Sequence, residues 1–345
     1  MYALSSGRLR AKPGEPSARL HIMEIFLPIL LLIVGFAFLV YGADFFVDGC
    51  CAVARTLHIP SLIIGLTIVA LGTSAPEAAV SITAALTGSD GLSAGNCVGS
   101  NIFNLLVVVG LCALFNPVPV GSKVLKRDFP FSLIVEGLVL LLLSDFLFGK
   151  TTNMLGHVAG FSLFGLYIVY LIVLIIDARR SKTMEPAEDE AKNMPLWKSF
   201  LIIVVGAAAV VFGGDLVVDE AVVIAKFFGM SDTLIGLSIV AVGTSLPELA
   251  TSIVAAKKGE LELALGNCIG SNIANFLFVL GLSSGISTVI VGPNVIVDTV
   301  ILIAASLLVY IVCIAKKKLG RPEGIAMLLI YAAYTAFIFS RELIH

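Results

Sequence analysis

Ten apolar runs, each close to the length of a bilayer crossing, occupy almost the whole of this chain. They lie at roughly 24 to 47, 61 to 86, 94 to 116, 130 to 148, 155 to 176, 197 to 223, 233 to 256, 261 to 287, 295 to 315 and 324 to 341. A hydrocarbon core about 30 Å thick takes about 20 residues of helix, whereas a tilted membrane strand needs only about 9–11. In lipid every backbone N–H and C=O has to be satisfied inside the structure, which leaves helices or closed barrels. Runs of this length choose the helix, so the expected fold is an all-α polytopic membrane protein. Composition agrees: 58% of residues are hydrophobic and 13% charged, against about 25% charged in soluble domains. With a formal net charge of -2 and a single Trp, no basic or stacking surface points to nucleic acid as a partner. The lipid bilayer is the implied one.

Two polar motifs interrupt this apolar background, and each occurs twice. GLTIVALGTSAPEAAVSIT (Gly65 to Thr83) returns as GLSIVAVGTSLPELATSIV (Gly236 to Val254), and GNCVGSNIFN (Gly95 to Asn104) returns as GNCIGSNIAN (Gly266 to Asn275), always 171 positions later. Thirteen of 19 and eight of ten residues are identical. The shift pairs span one with six, two with seven and three with eight, giving five spans per half. An odd number of spans inverts the second copy, so two inverted five-helix repeats are expected.

Charge supports the inversion independently. With both termini outside, the inside loops hold Arg55; Lys123, Lys126 and Arg127; Arg179, Arg180, Lys182, Lys192 and Lys198; Lys257 and Lys258; and Lys316, Lys317, Lys318 and Arg321, which is 15 of the 22 basic residues. Outside loops and the C-terminus hold Lys150, Lys226 and Arg341. That bias orients the chain. Loop 87 to 93 carries no basic residue while its repeat counterpart carries Lys257 and Lys258, as opposite-facing loops would.

The division follows from these features. Residues 1–22, with four basic residues and two prolines, are expected to be a disordered tail or a misannotated start ahead of Met23. Residues 23–176 form the first repeat, 177–194 a cytoplasmic linker, and 195–345 the second repeat. The six cysteines lie in apolar segments with no metal or redox spacing and are expected to pack. Asp44 and Asp48, matched by Asp215 and Asp219, sit at i,i+4 near helix ends; contacts between helices are the main expectation and ion entry the alternative. Ser81 and Ser252 are expected to bond back to carbonyls of their own helices.

The chemistry concentrates in T-S-x-P-E: Thr73, Ser74, Pro76 and Glu77, then Thr244, Ser245, Pro247 and Glu248. Proline lacks an N–H and clashes with the preceding turn, so each span should kink and free carbonyls near Ala70 to Gly72 and Ala241 to Gly243. Helical spacing places both hydroxyls and the carboxylate on one face. Ser100 and Asn104, and Ser271 and Asn275, repeat the i,i+4 device one span later, where Gly95, Gly99, Gly266 and Gly270 permit close packing. All these donors are oxygens, which select hard cations such as calcium, sodium, magnesium or manganese over zinc or copper. No Lys, Arg or His occurs from Ile59 to Ser122 or from Gly259 to Ala315, so an anionic substrate would lack a counter-charge. Pairing with a neighbouring helix could explain one intramembrane glutamate. A pair at matched repeat positions points instead to two charges facing one divalent ion.

These motif pairs resemble the two alpha-repeats of the cation/calcium exchanger superfamily, in particular the prokaryotic sodium/calcium exchangers, and the resemblance covers all ten spans from about residue 24. It implies four central ion sites and alternating access, in which the first and sixth helices slide against the other eight. Carried over by motif, the ligands are the carbonyl of Ala70 with Thr73, Ser74, Glu77, Ser100 and Asn104, and the carbonyl of Ala241 with Thr244, Ser245, Glu248, Ser271 and Asn275. The glutamates would hold calcium and share sodium sites. Several relatives have Asp where this chain has Asn275, which argues here against potassium dependence.

The resulting expectation is a sodium/calcium antiporter of the plasma (inner) membrane, multi-pass and monomeric, normally exporting calcium. Calcium and sodium are its transported ions, no cofactor is needed, and it is not an enzyme. A proton/calcium (or other divalent cation) antiporter is the alternative. An intramembrane hydrolase would need a nucleophile with a base or an aspartate dyad at depth, for which Asp44 and Asp215 are far apart in sequence but symmetric; kinked helices closing over carboxylates suit a carrier better than a channel.

Overall fold

The computed structural model describes residues 18–88, 90–144, 153–180, 194–229 and 241–344. The described residues are almost entirely helical. In chain order the helices are α1 (Ala18–Leu57), α2 (Ser61–Thr73), α3 (Ala75–Leu86), α4 (Gly91–Phe115), α5 (Phe129–Leu143), α6 (His157–Arg180), α7 (Leu196–Phe227), α8 (Leu246–Lys257), α9 (Leu261–Ile286), α10 (Pro293–Lys316) and α11 (Arg321–Ile344).

Seven of these helices are long and apolar enough to cross a membrane, and α2 with α3 makes an eighth if the bent pair is one span. The sequence leads to ten. The two remaining candidates, α5 and α8, each adjoin residues outside the described set, 145–152 and 230–240. Helix α1 already begins at Ala18, inside the expected tail. At the other end of the first half, α6 continues through Asp177 to Arg180, past the expected linker boundary. Lys123 and Arg127 bind Asp177 there at 2.9 and 2.6 Å and hold that last turn. Residues 181–193 of the linker lie outside the described residues.

Burial sorts the helices into a centre and a periphery. The apolar windows of α4 and α9 are 78% and 94% buried in the molecule, against 22% for α1, 33% for α7 and 11% for α11. The first pair therefore forms the axis of the bundle. The cause is side-chain size: α9 crosses α2 where Gly65 meets Gly266, and a Cβ on Gly65 would lie 2.5 Å from the Leu263 carbonyl. Gly270 is equally tight, its Cβ falling 2.8 Å from Leu66 Cα. Around Gly95 and Gly99 a Cβ would meet no described atom within 4 Å; their counterpart partners, from Gly236 to Val240, lie outside the described residues.

Helices α1 and α7 pack antiparallel against each other over several turns. Added Cβ atoms at Gly35, Gly42 and Gly49 would strike Val217, Val210 and Ile203, and one at Gly206 would lie 2.6 Å from the Phe46 amide nitrogen. Small residues at this seam let the backbones approach, the packing mode that replaces the hydrophobic effect in lipid.

Contacts between the halves are reciprocal. Short strand β1 (Val118–Pro119) pairs antiparallel with β4 (Lys318–Leu319), and β2 (Met154–Leu155) with β3 (Val289–Ile290). β1 and β3 are related by the 171-residue shift, and each pairs with a strand of the opposite half. The Asn101 side-chain amide donates to the Asn272 carbonyl at 3.1 Å, and that of Asn272 donates to the Asn101 carbonyl at 3.2 Å.

Candidate cation site

Both T-S-x-P-E motifs break the helix at serine, two residues before the proline. Ser74 (φ -80°, ψ 10°) and Ser245 (φ -92°, ψ 7°) leave helical geometry, and α2 and α3 meet at 49°. Pro76 and Pro247 then stand in the first turn of α3 and α8, where a helix needs no N–H. The Ala70 carbonyl is not freed: it accepts the Ser74 N–H at 3.0 Å and lies 3.4 Å from the Thr73 hydroxyl. The carbonyl whose helical partner would be the proline is that of Gly72, and Gly243 in the repeat. Ala241 opens a single helical turn, Ala241–Gly243, ahead of the second break.

Breaking the helix at serine places Glu77 and Glu248 at the starts of α3 and α8, where the positive end of the helix dipole favours a carboxylate. Both are fully buried. Each is wired to the opposite repeat: Ser245 donates to Glu77 Oε1 at 3.0 Å, and Ser74 donates to Glu248 Oε1 at 3.1 Å. Ser100 adds a longer bond to Glu77 at 3.4 Å. Thr73 donates to Asn267 at 3.1 Å and approaches Ser271 at 3.5 Å, while Thr244 donates to Asn96 at 3.3 Å. Thr73, Ser74, Ser100, Thr244, Ser245 and Ser271 thus each hydrogen-bond one of the two glutamates or an asparagine beside them.

The third and eighth expected spans meet there too. Asn104 and Asn275 each open a π-helical turn, Asn104–Val108 and Asn275–Leu280, a deformation common at functional sites. The Asn275 amide donates to Asn101 Oδ1 at 3.1 Å. Among buried atoms without a hydrogen-bond partner are Glu77 Oε2, Glu248 Oε2, both polar atoms of Asn104, and Asn275 Oδ1. Leaving such groups unpaired in a dry interior costs roughly 1–3 kcal/mol each and more for charged groups. Oxygens from both repeats therefore converge on one centre with unsatisfied acceptor capacity. The glutamate, serine and threonine donors gathered here are all oxygens, which suit hard cations.

Four asparagines escaped the sequence reading. Asn96 donates to the Glu77 carbonyl at 3.4 Å and to Ser81 at 3.0 Å; Asn267 donates likewise to the Glu248 carbonyl at 3.4 Å and to Ser252 at 2.9 Å. Each bolts a glutamate-bearing helix to its neighbour, as Asn101 and Asn272 bolt the halves. The signal was present, since all four lie in the repeated GNCxGSN, one turn before Ser100 and Ser271 or one residue after. Ser81 and Ser252 correct an expectation: they accept from these asparagines, and Ser81 donates across to the Ser93 carbonyl at 3.3 Å. All six cysteines are buried and unpaired.

Asp44 and Asp48 behave as helix contacts, both binding Lys258 at 2.8 and 2.7 Å. The shift puts Thr87 where the second half has Lys258, so this clamp is not duplicated.

A helical, multi-pass membrane protein with a pseudo-symmetric, oxygen-lined centre and two buried carboxylates is the class these features define. The chain belongs to the sodium/calcium exchanger family: residues 27–176 and 198–340 match the family described as Sodium/calcium exchanger protein. It is 39% identical to the putative antiporter CaxA of Alkalimonas amylolytica, over 90% of this chain and 98% of that protein. It is 33% identical to the sodium/calcium exchanger MaX1 of Methanosarcina acetivorans, again over 90% and 98%. The structure superposes on the sodium-calcium exchanger NCX_Mj, soaked with 2.5 mM Na+ and 0.1 mM Ca2+, with a TM-score of 0.78 at 32% identity, covering 90% of this chain and 98% of that one.

Proposed function

We propose that this protein exchanges sodium for calcium across the plasma (inner) membrane by alternating access, with calcium export as its normal direction. The observation that carries the reading is the reciprocal bonding of Glu77 to Ser245 and Glu248 to Ser74, which ties one carboxylate from each repeat into a single buried centre. Its two negative charges match one divalent ion, and the same oxygens can serve monovalent ions in its absence. The proposed ligands are Thr73, Ser74, Glu77, Ser100, Asn104, Thr244, Ser245, Glu248, Ser271 and Asn275, with the carbonyls of Ala70 and Ala241. An empty centre with two unneutralised carboxylates in a low-dielectric interior is costly, which disfavours return without an ion and couples the two fluxes.

The architecture proposed with this function is ten spans in two inverted repeats, 23–176 and 195–345, joined by the linker, with both termini outside. Contacts support it. Loops expected inside meet one another, through β1 with β4 and through Lys123 and Arg127 with Asp177; loops expected outside meet through β2 and β3. The α1–α7 pair, long and poorly buried, suits an element that slides against the central bundle. A monomer suffices, since both half-sites lie in one chain.

Labelled calcium uptake into proteoliposomes tests the reading. A sodium gradient is expected to drive it and a proton gradient is not; uptake under the proton gradient alone would favour proton/calcium antiport, and none under either would remove both.

A further inference from the structure

A third buried carboxylate lies outside the duplicated motifs. Glu136, on α5, is 1% exposed. Its Oε1 accepts the Ser306 hydroxyl of α10 at 3.0 Å and the Ser132 hydroxyl at 3.4 Å, whereas Oε2 is buried without a partner. Glu136, Ser132, Ser306 and Asn272 line one cavity of about 20 Å³, room for one water-sized particle. The Asn272 side-chain nitrogen is committed to the Asn101 carbonyl at 3.2 Å, which leaves its buried Oδ1 unpartnered as well. Two residues that each carry an unpartnered buried acceptor thus line the same small space, and its remaining lining is mainly apolar, Phe129 and Leu265 among it. Among the described residues no Lys, Arg or His lines it.

We propose that Glu136, Ser132, Ser306 and Asn272 form a separate site for one small monovalent cation, sodium, between α5, α9 and α10. Charge and donor type select the ligand. Oxygen donors alone suit a hard ion, and a single carboxylate neutralises a single charge, while a divalent ion would leave a net positive charge among apolar side chains. Water in the cavity could donate to both acceptors but would leave the carboxylate charge uncompensated. The shift of 171 residues places Leu307 opposite Glu136, so the site has no twin and is not half of the central cage. It touches that cage through Asn272, whose neighbour Asn101 also receives the Asn275 amide. The ion is therefore a candidate to steady the asparagines that join the two halves. The choice of sodium rests on charge and size and not on the role assigned to the central glutamates.

Equilibrium binding of radiolabelled sodium to the purified full chain, without calcium, tests this. Glu136→Gln is expected to bind one sodium ion fewer per chain at saturation, with labelled-calcium binding in sodium-free buffer within about twofold of wild type. The milder Ser306→Ala, which keeps the carboxylate, is expected to weaken one sodium ion about tenfold, a shift on the scale of one hydrogen bond. Unchanged sodium stoichiometry and affinity in both variants would overturn the proposal and assign Glu136 to a proton or to water alone. Glu77→Gln run alongside reports separately on the central cage through calcium binding, so failure of one reading is distinguishable from failure of the other.

Discussion

The Ser74 hydroxyl of the first repeat donates to the Glu248 carboxylate of the second at 3.1 Å, and the Ser245 hydroxyl returns the same contact to Glu77 at 3.0 Å. Neither repeat completes its own carboxylate. Each serine is also the residue at which its helix breaks, so one position turns the chain and bonds the opposite half.

Loss of either serine hydroxyl removes a bond to a charged group, worth about 1.5–3 kcal/mol. Ser74→Ala and Ser245→Ala are each expected to weaken calcium binding by about 10-fold to 100-fold. The double variant should lose more than either single one but less than the product, because both bonds serve one centre. Calorimetric titration of the purified variants checks this; full additivity would argue for two independent sites.

Glu77→Gln and Glu248→Gln each remove one of two charges while keeping size. Calcium flux in proteoliposomes is expected to fall below about 1% of wild type for both, since a singly charged centre leaves a divalent ion unneutralised in the interior. Wild-type flux in either variant would dismiss the glutamate as a ligand.

Asn275 donates to Asn101 Oδ1, and Asn101 in turn donates to the Asn272 carbonyl. In Asn275→Asp the new carboxylate would face an acceptor that cannot turn without losing that second bond. Protonation or a further cation relieves the conflict. Initial rates measured between about pH 8 and about pH 6, a range that brackets raised carboxylate titrations, are expected to change in this variant by several-fold more than in wild type. Parallel profiles would show that position 275 does not set cation charge.

Lys258 joins α8 to Asp44 and Asp48 of α1 through half-exposed pairs, each worth about 0.2–1 kcal/mol. If α1 moves against the bundle, this clamp has to open. Lys258→Gln is expected to alter turnover by about twofold to fivefold with calcium affinity unchanged, and to lower the dependence of turnover on ionic strength. A pure loss of affinity would place the lysine at the ion path instead.

At Gly206 a Cβ would fall 2.6 Å from the Phe46 backbone nitrogen, and backbone cannot yield as a side-chain tip can. Gly206→Leu is expected to separate α1 from α7, abolish transport and lower the melting temperature in detergent. Gly165, where an added Cβ meets no described atom within 4 Å, should tolerate the same change.

Much of this protein is written in its sequence. The hydrophobic runs dictate helices because lipid offers the backbone no partner, and the 171-residue repeat with its proline, hydroxyl and carboxylate spacing identifies Thr73 to Glu77 and Thr244 to Glu248 as the polar centre. Local chemistry repeated in register is legible without coordinates. What only the tertiary structure decided is which half serves which. Helical spacing places Ser74 beside Glu77, yet Ser74 bonds Glu248, since glycines 65, 266 and 270 bring the halves close enough for cross-repeat contacts to win. The roles of Asn96 and Asn267, the Lys258 clamp and the lone Glu136 with Ser306 share that origin. Each joins residues more than a dozen positions apart, and no period in the chain encodes a contact that backbone proximity alone creates.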